Sequence, residues 1–261
     1  MSAQPLQSKT AIVSGSSRGI GRAIALRLAA RGAHAILCAR DAEALASAVR
    51  EIEAAGGRAS SIAVDLREPT AAAKVAEFAI ERTGRIDILV NNAGATKRGD
   101  FLELTEEDWA DGFALKLFGA VRLIRVCWPH LVTTRGSVLN IAGTGGRTPG
   151  IAFSVGGSVN AAMLALTKSL AETGIRDSVQ VNAINPGSVR TGRLSKRLAD
   201  LAAKRGLGAD QAEAAFIAAE KVTRIGEPED IAALVEFVTG PGGRFLQGAL
   251  IDMDGGATKT M

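Results

Sequence analysis

Tyrosine is missing from this 261-residue chain altogether. No phenol is therefore available anywhere as an acid, a base or a buried hydrogen-bond donor. Cysteine is nearly missing too. Cys38 and Cys127 stand far apart with no CxxC, which excludes a disulfide framework and fits buried free thiols in a reducing compartment. His34 and His130 are the two histidines, one beside an expected strand and one at an expected helix end, so no metal site is expected. Aromatics make up only 4%, too few for a base-stacking surface, and the net charge of +4 is spread through the chain rather than gathered into an arm. Nucleic-acid binding is not expected. No apolar run approaches the roughly 20 residues that cross a bilayer. The opening MSAQPLQSKT lacks the basic and apolar regions of a secretory signal. A cytoplasmic protein without a membrane partner is expected.

What is present is an alternation of apolar strands and amphipathic helices. AIVSG (11–15) is a short apolar run, and 21–32 has helical spacing with Gly32 as a stop. A strand over 33–39 follows, then a helix over 41–57 with Asp41 as N-cap and a glycine pair at its end. The pattern repeats as strand 58–66, helix 69–84 opened by Pro69, and strand 85–94. A long helix over 105–131, stopped near Pro129, leads to strand 136–143, helix 154–174 and strand 178–187. A helix over 227–240 and a strand over 248–256 close the series. Apolar strands alternating with helices predict a parallel sheet covered on both faces. No composition break divides the chain, so 1–261 is expected to be a single domain. The segment 190–225 is helical in composition but interrupts the alternation, as an excursion expected to cover a substrate as a mobile lid.

SGSSRGIGRA (14–23) falls where the first strand meets the first helix. Gly15, Gly19 and Gly21 would let the backbone turn tightly and approach a pyrophosphate, which the helix N-terminus attracts through its unpaired N–H groups. With Asp65 after the third strand, NNAG (91–94) after the fourth and NPGSVRT (185–191) after the sixth, the chain resembles the short-chain dehydrogenase/reductase family over nearly its whole length. Ser14 stands where that family usually has Thr. The resemblance implies an α/β fold: a three-layer, Rossmann-type, doubly wound parallel sheet with helices on both faces. It also implies that Gly15, Ser17, Arg18, Gly19, Ile20 and Gly21 cradle a dinucleotide. Asp65 and Leu66 would hold the adenine, Asn91, Ala93 and Gly94 would line the ribose, and Pro186, Gly187 and Val189 would face the nicotinamide. An NAD site needs a carboxylate at the end of the second strand. Here that strand ends in Ala39 followed by Arg40, and Arg18 lies in the glycine loop. Two forked cations and no carboxylate suit a 2′-phosphate, so NADP(H) is expected over NAD(H).

Members of the family usually work with an Asn, a Ser, a Tyr and a Lys. The segment LTKSLA (166–171) resembles the one that follows the family lysine, and counting back eight from Lys168 reaches Asn160. The tyrosine position is then Gly156 and the serine position Gly143. Trp109 and Gly119 both place the asparagine position at Lys116. The resemblance thus implies a site in which Asn and Lys have changed places and Ser and Tyr have become glycine. Lys116 is the candidate proton donor, with Asn160 bonded to it or to a water. A lysine in a dry cleft can titrate near neutrality. Thr144 could stand in for the lost hydroxyl and Arg147 could bind an acidic substrate, although turn and cap roles suit both of them, with Ser154 and Ser158, better. Phe153 has no proton to give, and the two glycines imply a roomier pocket. Taken together the residues point to an NADP(H)-binding oxidoreductase acting on a small carbonyl or alcohol substrate through an altered proton path. The alternatives are an NADP-binding pseudoenzyme, serving as sensor or oligomer partner, and a non-redox enzyme reusing the fold. A homotetramer or dimer is implied by the resemblance alone.

Overall fold

The computed structural model describes residues 4–259; the first three and last two residues lie outside the described residues. Seven parallel strands form one sheet in the order β3-β2-β1-β4-β5-β6-β7. They are β1 (Thr10–Ser14), β2 (His34–Ala39), β3 (Arg58–Ala63), β4 (Ile88–Asn91), β5 (Ser137–Ile141), β6 (Gln180–Pro186) and β7 (Leu250–Met253). The strand order reverses between β1 and β4, which opens a crevice at their C-terminal ends, the place where doubly wound sheets bind ligands.

The inner strands β1, β2, β4, β5 and β6 are buried, with successive side chains pointing to opposite faces, while the edge strands β3 and β7 are partly exposed. Ala11, Val13, Leu37, Val90 and Leu139 pack under α1 (Gly19–Ala30), α2 (Ala42–Ala54) and α9 (Pro228–Thr239). Ile12, Ile36, Cys38, Leu89 and Val138 pack under α3 (Ala71–Thr83) and α5 (Gly119–Thr134). Parallel strands so enclosed read as unbroken apolar runs, which is why the alternation was visible in the sequence. Asp41 caps α2 by accepting from the Ala44 N–H at 3.0 Å. Glu236 of α9 binds Arg31 at 2.7 Å and Arg27 of the neighbouring α1.

Three expectations about helices are corrected. Pro69 precedes α3, whose N-cap is Thr70. Pro129 does not stop its helix: α5 continues to Thr134, because Leu123, Ile124, Cys127 and Leu131 are locked in the core on both sides of the proline. Packing outweighs the single helical N–H that Pro129 lacks. The long helix expected over 105–131 is also not uniform. It runs as α4 (Glu106–Gly112), a π-helical turn over Phe113–Phe118, and α5. The excursion after β6 forms two helices, α7 (Gly192–Arg205) and α8 (Ala209–Glu220), which share a small core of Leu194, Phe216 and Ile225. The remaining long helix, α6 (Ser154–Asp177), lies against β6 and carries residues toward the crevice.

Leu28 is fully buried between α1 and the sheet. Leu28→Ala is expected to cost about 2–5 kcal/mol in urea unfolding. Ile151→Ala, at a side chain 98% exposed, should stay within about 0.5 kcal/mol of the parent. Equal losses at the two positions would contradict the layer assignment.

Candidate active site

The crevice begins with the glycine loop between β1 and α1. Gly15 has φ +66°, and a Cβ on it would come within 2.8 Å of the Ala93 Cα. A Cβ on Gly21 would sit 2.3 Å from the Gly15 carbonyl oxygen. The two loops that close over the crevice are therefore packed backbone to backbone. The Ser14 hydroxyl ties them, accepting from the Asn92 and Ala93 N–H groups at 3.0 Å each. The Asn92 amide completes the seam by donating to the Ser14 carbonyl at 2.9 Å and the Gly15 carbonyl at 3.1 Å. Helix α1 starts at Gly19 with no side-chain cap and no acidic residue in its first turn. Its free N–H groups and positive end therefore face the crevice unneutralised, which is the chemistry of an anion cradle. Arg18 is its N-cap residue and is exposed. Ser17 and Ile20 flank Arg18 and Gly19 in the same loop.

At the far end of the cradle, Arg40 follows β2 with its guanidinium 3.8 Å from Asp65 and largely exposed. Asp65 accepts from the Arg67 backbone N–H at 3.0 Å and pairs with the Arg67 guanidinium at 3.3 Å. Arg67 also binds Asp111, whose carboxyl it holds below the usual range. The Leu66 side chain is buried beneath α3 and α5, and its carbonyl accepts from Arg122. Asn91 points into the sheet, where its amide donates to Asn140 at 2.9 Å while its own Oδ1 receives no donor. Pro186 ends β6, a Cβ on Gly187 would meet Asp254 at 2.7 Å, and Val189 is buried where it pairs with Gly226.

Lys116 and Asn160 meet. The Lys116 amine donates to the Asn160 Oδ1 at 2.7 Å and to the Ala142 carbonyl, just past β5, at 2.5 Å. Lys116 sits in the π-helical turn, a distortion that re-aims side chains and recurs at functional sites. Its stem lies along Gly94, where a Cβ would come within 2.9 Å of the Lys116 Cδ. Gly94 is what lets the lysine reach the end of β5. Both acceptors are neutral, so burial, with the Arg193 charge adding in the same direction, lowers the Lys116 pKa to about 7. Arg193 donates to the Gly94 carbonyl at 3.0 Å and is itself held down by burial and by Arg18.

The expected roomier pocket is not there. Gly143, at φ +139°, has the Asn160 amide within 2.9 Å of where its Cβ would be. The Phe153 ring fills the space beside Gly156, within 2.1 Å of a Cβ built there. The space beside each of the two glycines is taken by neighbours of the same chain. Arg147 is committed to Asp252 at 3.0 Å and the Leu250 carbonyl at 3.1 Å, so it is structural. Thr144 opens a short 3₁₀ turn beside Asn160 and is partly exposed. Ser154 starts α6 with its hydroxyl buried and unpaired, and Ser158 is exposed. Asn92, Arg67, Arg98 and Arg193 were missed from the sequence. Asn92 lay inside NNAG and Arg193 just beyond NPGSVRT, whereas nothing local marked Arg67 or Arg98.

The short chain dehydrogenase family model matches residues 9–202. The chain belongs to that family. It is 36% identical over 255 residues to an uncharacterized oxidoreductase of Mycobacterium tuberculosis, covering 97% of this chain and 93% of that protein. It superposes with a TM-score of 0.92 on L-sorbose reductase from Gluconobacter frateurii complexed with NADPH and L-sorbose, at 31% identity and 98% coverage of both chains. A short chain oxidoreductase from Pseudomonas aeruginosa, described as containing an atypical catalytic center, gives a TM-score of 0.91 at 27% identity, covering 98% of this chain and 99% of that one. The described residues contain no group of three or more potential metal ligands and no helix long and apolar enough to cross a membrane.

The lysine makes stability depend on pH. Its folded pKa of about 7 lies below the ordinary 10.5. Between those values the unfolded chain binds a proton that the folded chain does not, so this group makes stability rise with pH. Urea unfolding of the parent and of Lys116→Met should show the variant's relative stability falling as pH is raised from about 7 to about 9. A difference that does not move with pH would mean that the amine titrates in its ordinary range.

Proposed function

We propose that this chain is an NADP(H)-dependent oxidoreductase interconverting a small carbonyl compound and its alcohol, with Lys116 as proton donor and Asn160 as the residue that positions it. The observation that carries this reading is the Lys116 amine held between Ala142 and Asn160, at the sheet end that also forms the glycine cradle. The NADPH in the L-sorbose reductase complex supports the cofactor. The cradle fits such a group on its own chemistry: uncapped helix N–H groups for the pyrophosphate, and Arg18 and Arg40 as forked donors for a 2′-phosphate. Asp65, Leu66, Asn91, Ala93 and Gly94 would line the adenosine half, and Pro186, Gly187 and Val189 the nicotinamide half. When bound, the nicotinamide supplies hydride exchange.

The residues supply the proton. As an ammonium, Lys116 has three N–H bonds, two of which are taken by Ala142 and Asn160. The third is left for a substrate oxygen, and giving up that proton leaves a neutral amine on two unchanged acceptors. A pKa of about 7 suits an acid working near neutral pH. The α7–α8 hairpin is the lid on a single domain spanning 1–261, and the assembly is a cytoplasmic homotetramer or dimer. The Phe153 ring packed into the Gly156 space favours a second reading, a nucleotide binder without turnover, over a non-redox enzyme.

Calorimetric titration should show NADPH bound more tightly than NADH. Arg40→Ala should narrow that preference by about tenfold. On a panel of carbonyl compounds Lys116→Met should lower kcat/KM for NADPH oxidation about 10²–10⁴-fold, with NADPH affinity kept. Binding without turnover of any carbonyl would favour the second reading. Unchanged turnover in Lys116→Met would remove the lysine from the reaction.

A further inference from the structure

The mouth of the crevice carries more positive charge than the cofactor reading uses. Arg98 lies on the loop between β4 and α4, and Gly99 anchors that loop by donating to the Ala152 carbonyl at 3.2 Å. The Arg98 guanidinium stacks over the Phe153 ring, its carbon 4.3 Å from the centroid. The same ring fills the space beside Gly156, so Arg98 stands directly outside the plugged position. Across the crevice, α7 brings Arg193 and Arg197, and both push against the Arg98 charge. Arg193 in turn acts on Lys116. Among the described residues Arg98 and Arg193 have no carboxylate within ion-pair distance. Glu220 is the one carboxylate acting on Arg98, and it sits 3.8 Å from Arg197.

Arg197 is partly answered by Glu220 and lies over the Phe216 ring, which leaves Arg98 and Arg193 as repelling guanidiniums whose free energy a bound anion would lower. The cation–π contact holds the Arg98 guanidinium carbon over the Phe153 ring, and a planar guanidinium matches a carboxylate with two parallel hydrogen bonds. We infer that the substrate is a carbonyl compound bearing a carboxylate, and that Arg98 is the residue that grips the carboxylate. The inference rests on the reading of the crevice as an oxidoreductase site. Arg98 acts on specificity: it touches the substrate's remote charge, and Lys116 remains the group at the reacting oxygen.

The test uses 4-oxobutanoate and 4-carboxybenzaldehyde, each against its neutral methyl ester, titrated calorimetrically into the parent and into Arg98→Met, both saturated with NADP⁺ so that no hydride is transferred. The parent should bind at least one acid about tenfold more tightly than its ester, and Arg98→Met should bring the two within about threefold. Esters bound as well as the acids, no binding of either acid, or a preference that survives in Arg98→Met would each overturn the inference. Titration of the cofactor-free parent and of cofactor-free Arg98→Met with NADPH keeps the two readings apart. NADPH uptake without acid preference overturns the carboxylate anchor alone. Absence of NADPH uptake overturns the cofactor reading, and the acid preference is then measured on the cofactor-free protein with the same criteria.

Discussion

The Lys116 amine is bonded to a backbone carbonyl and a side-chain amide and, among the described residues, to no carboxylate. Two neutral acceptors satisfy its N–H groups without offsetting its charge, and that constraint governs the crevice around it. Burial of an unneutralised ammonium draws its proton affinity down to about 7. The π-helical turn carries the lysine to the sheet end, the bare Gly94 makes room for its stem, and the turn at Gly143 leaves space for the Asn160 amide. Each of these local features is costly or unremarkable alone. Together they hold one amine where the strands end.

Neighbouring side chains of the same chain fill the crevice beside its two glycines. Phe153 and Asn160 turn inward and occupy the volume beside Gly156 and Gly143. An apolar ring beside Gly156 and an amide beside Gly143 and the amine fill space without adding charge. Positive charge is instead arranged around the rim, by Arg18 and Arg40 at the cradle and by Arg98 and Arg193 nearer the lysine. On the proposed reading, the rim draws anionic groups in and the interior moves a proton.

Much of the fold was legible because strands buried on both faces must be apolar throughout, and because Asp41, Gly84 and the glycine loop mark helix ends by local chemistry. The end of α5 was not legible. Pro129 is a local stop signal, and the core contacts that override it join residues far apart in sequence. The π-helical turn leaves no trace in a six-residue stretch of ordinary apolar spacing, FALKLF. The pairing of Lys116 with Asn160 could be anticipated, since two exchanged residue types implied two facing positions. The infilling by Phe153 could not, because an absent side chain says nothing about which neighbour replaces it. Arg98 was missed for a similar reason: its meaning depends on α7 approaching from across the sheet.

The pH–rate profile of NADPH oxidation, measured on a substrate that does not itself titrate, tests the central claim most directly. An ammonium acid at Lys116 predicts a rate that is highest below pH 7 and falls as pH rises through about 7, following the lowered pKa of the amine. A turnover rate that stays level from about pH 6 to pH 9 would contradict the account, because the proton would then come from a group other than Lys116.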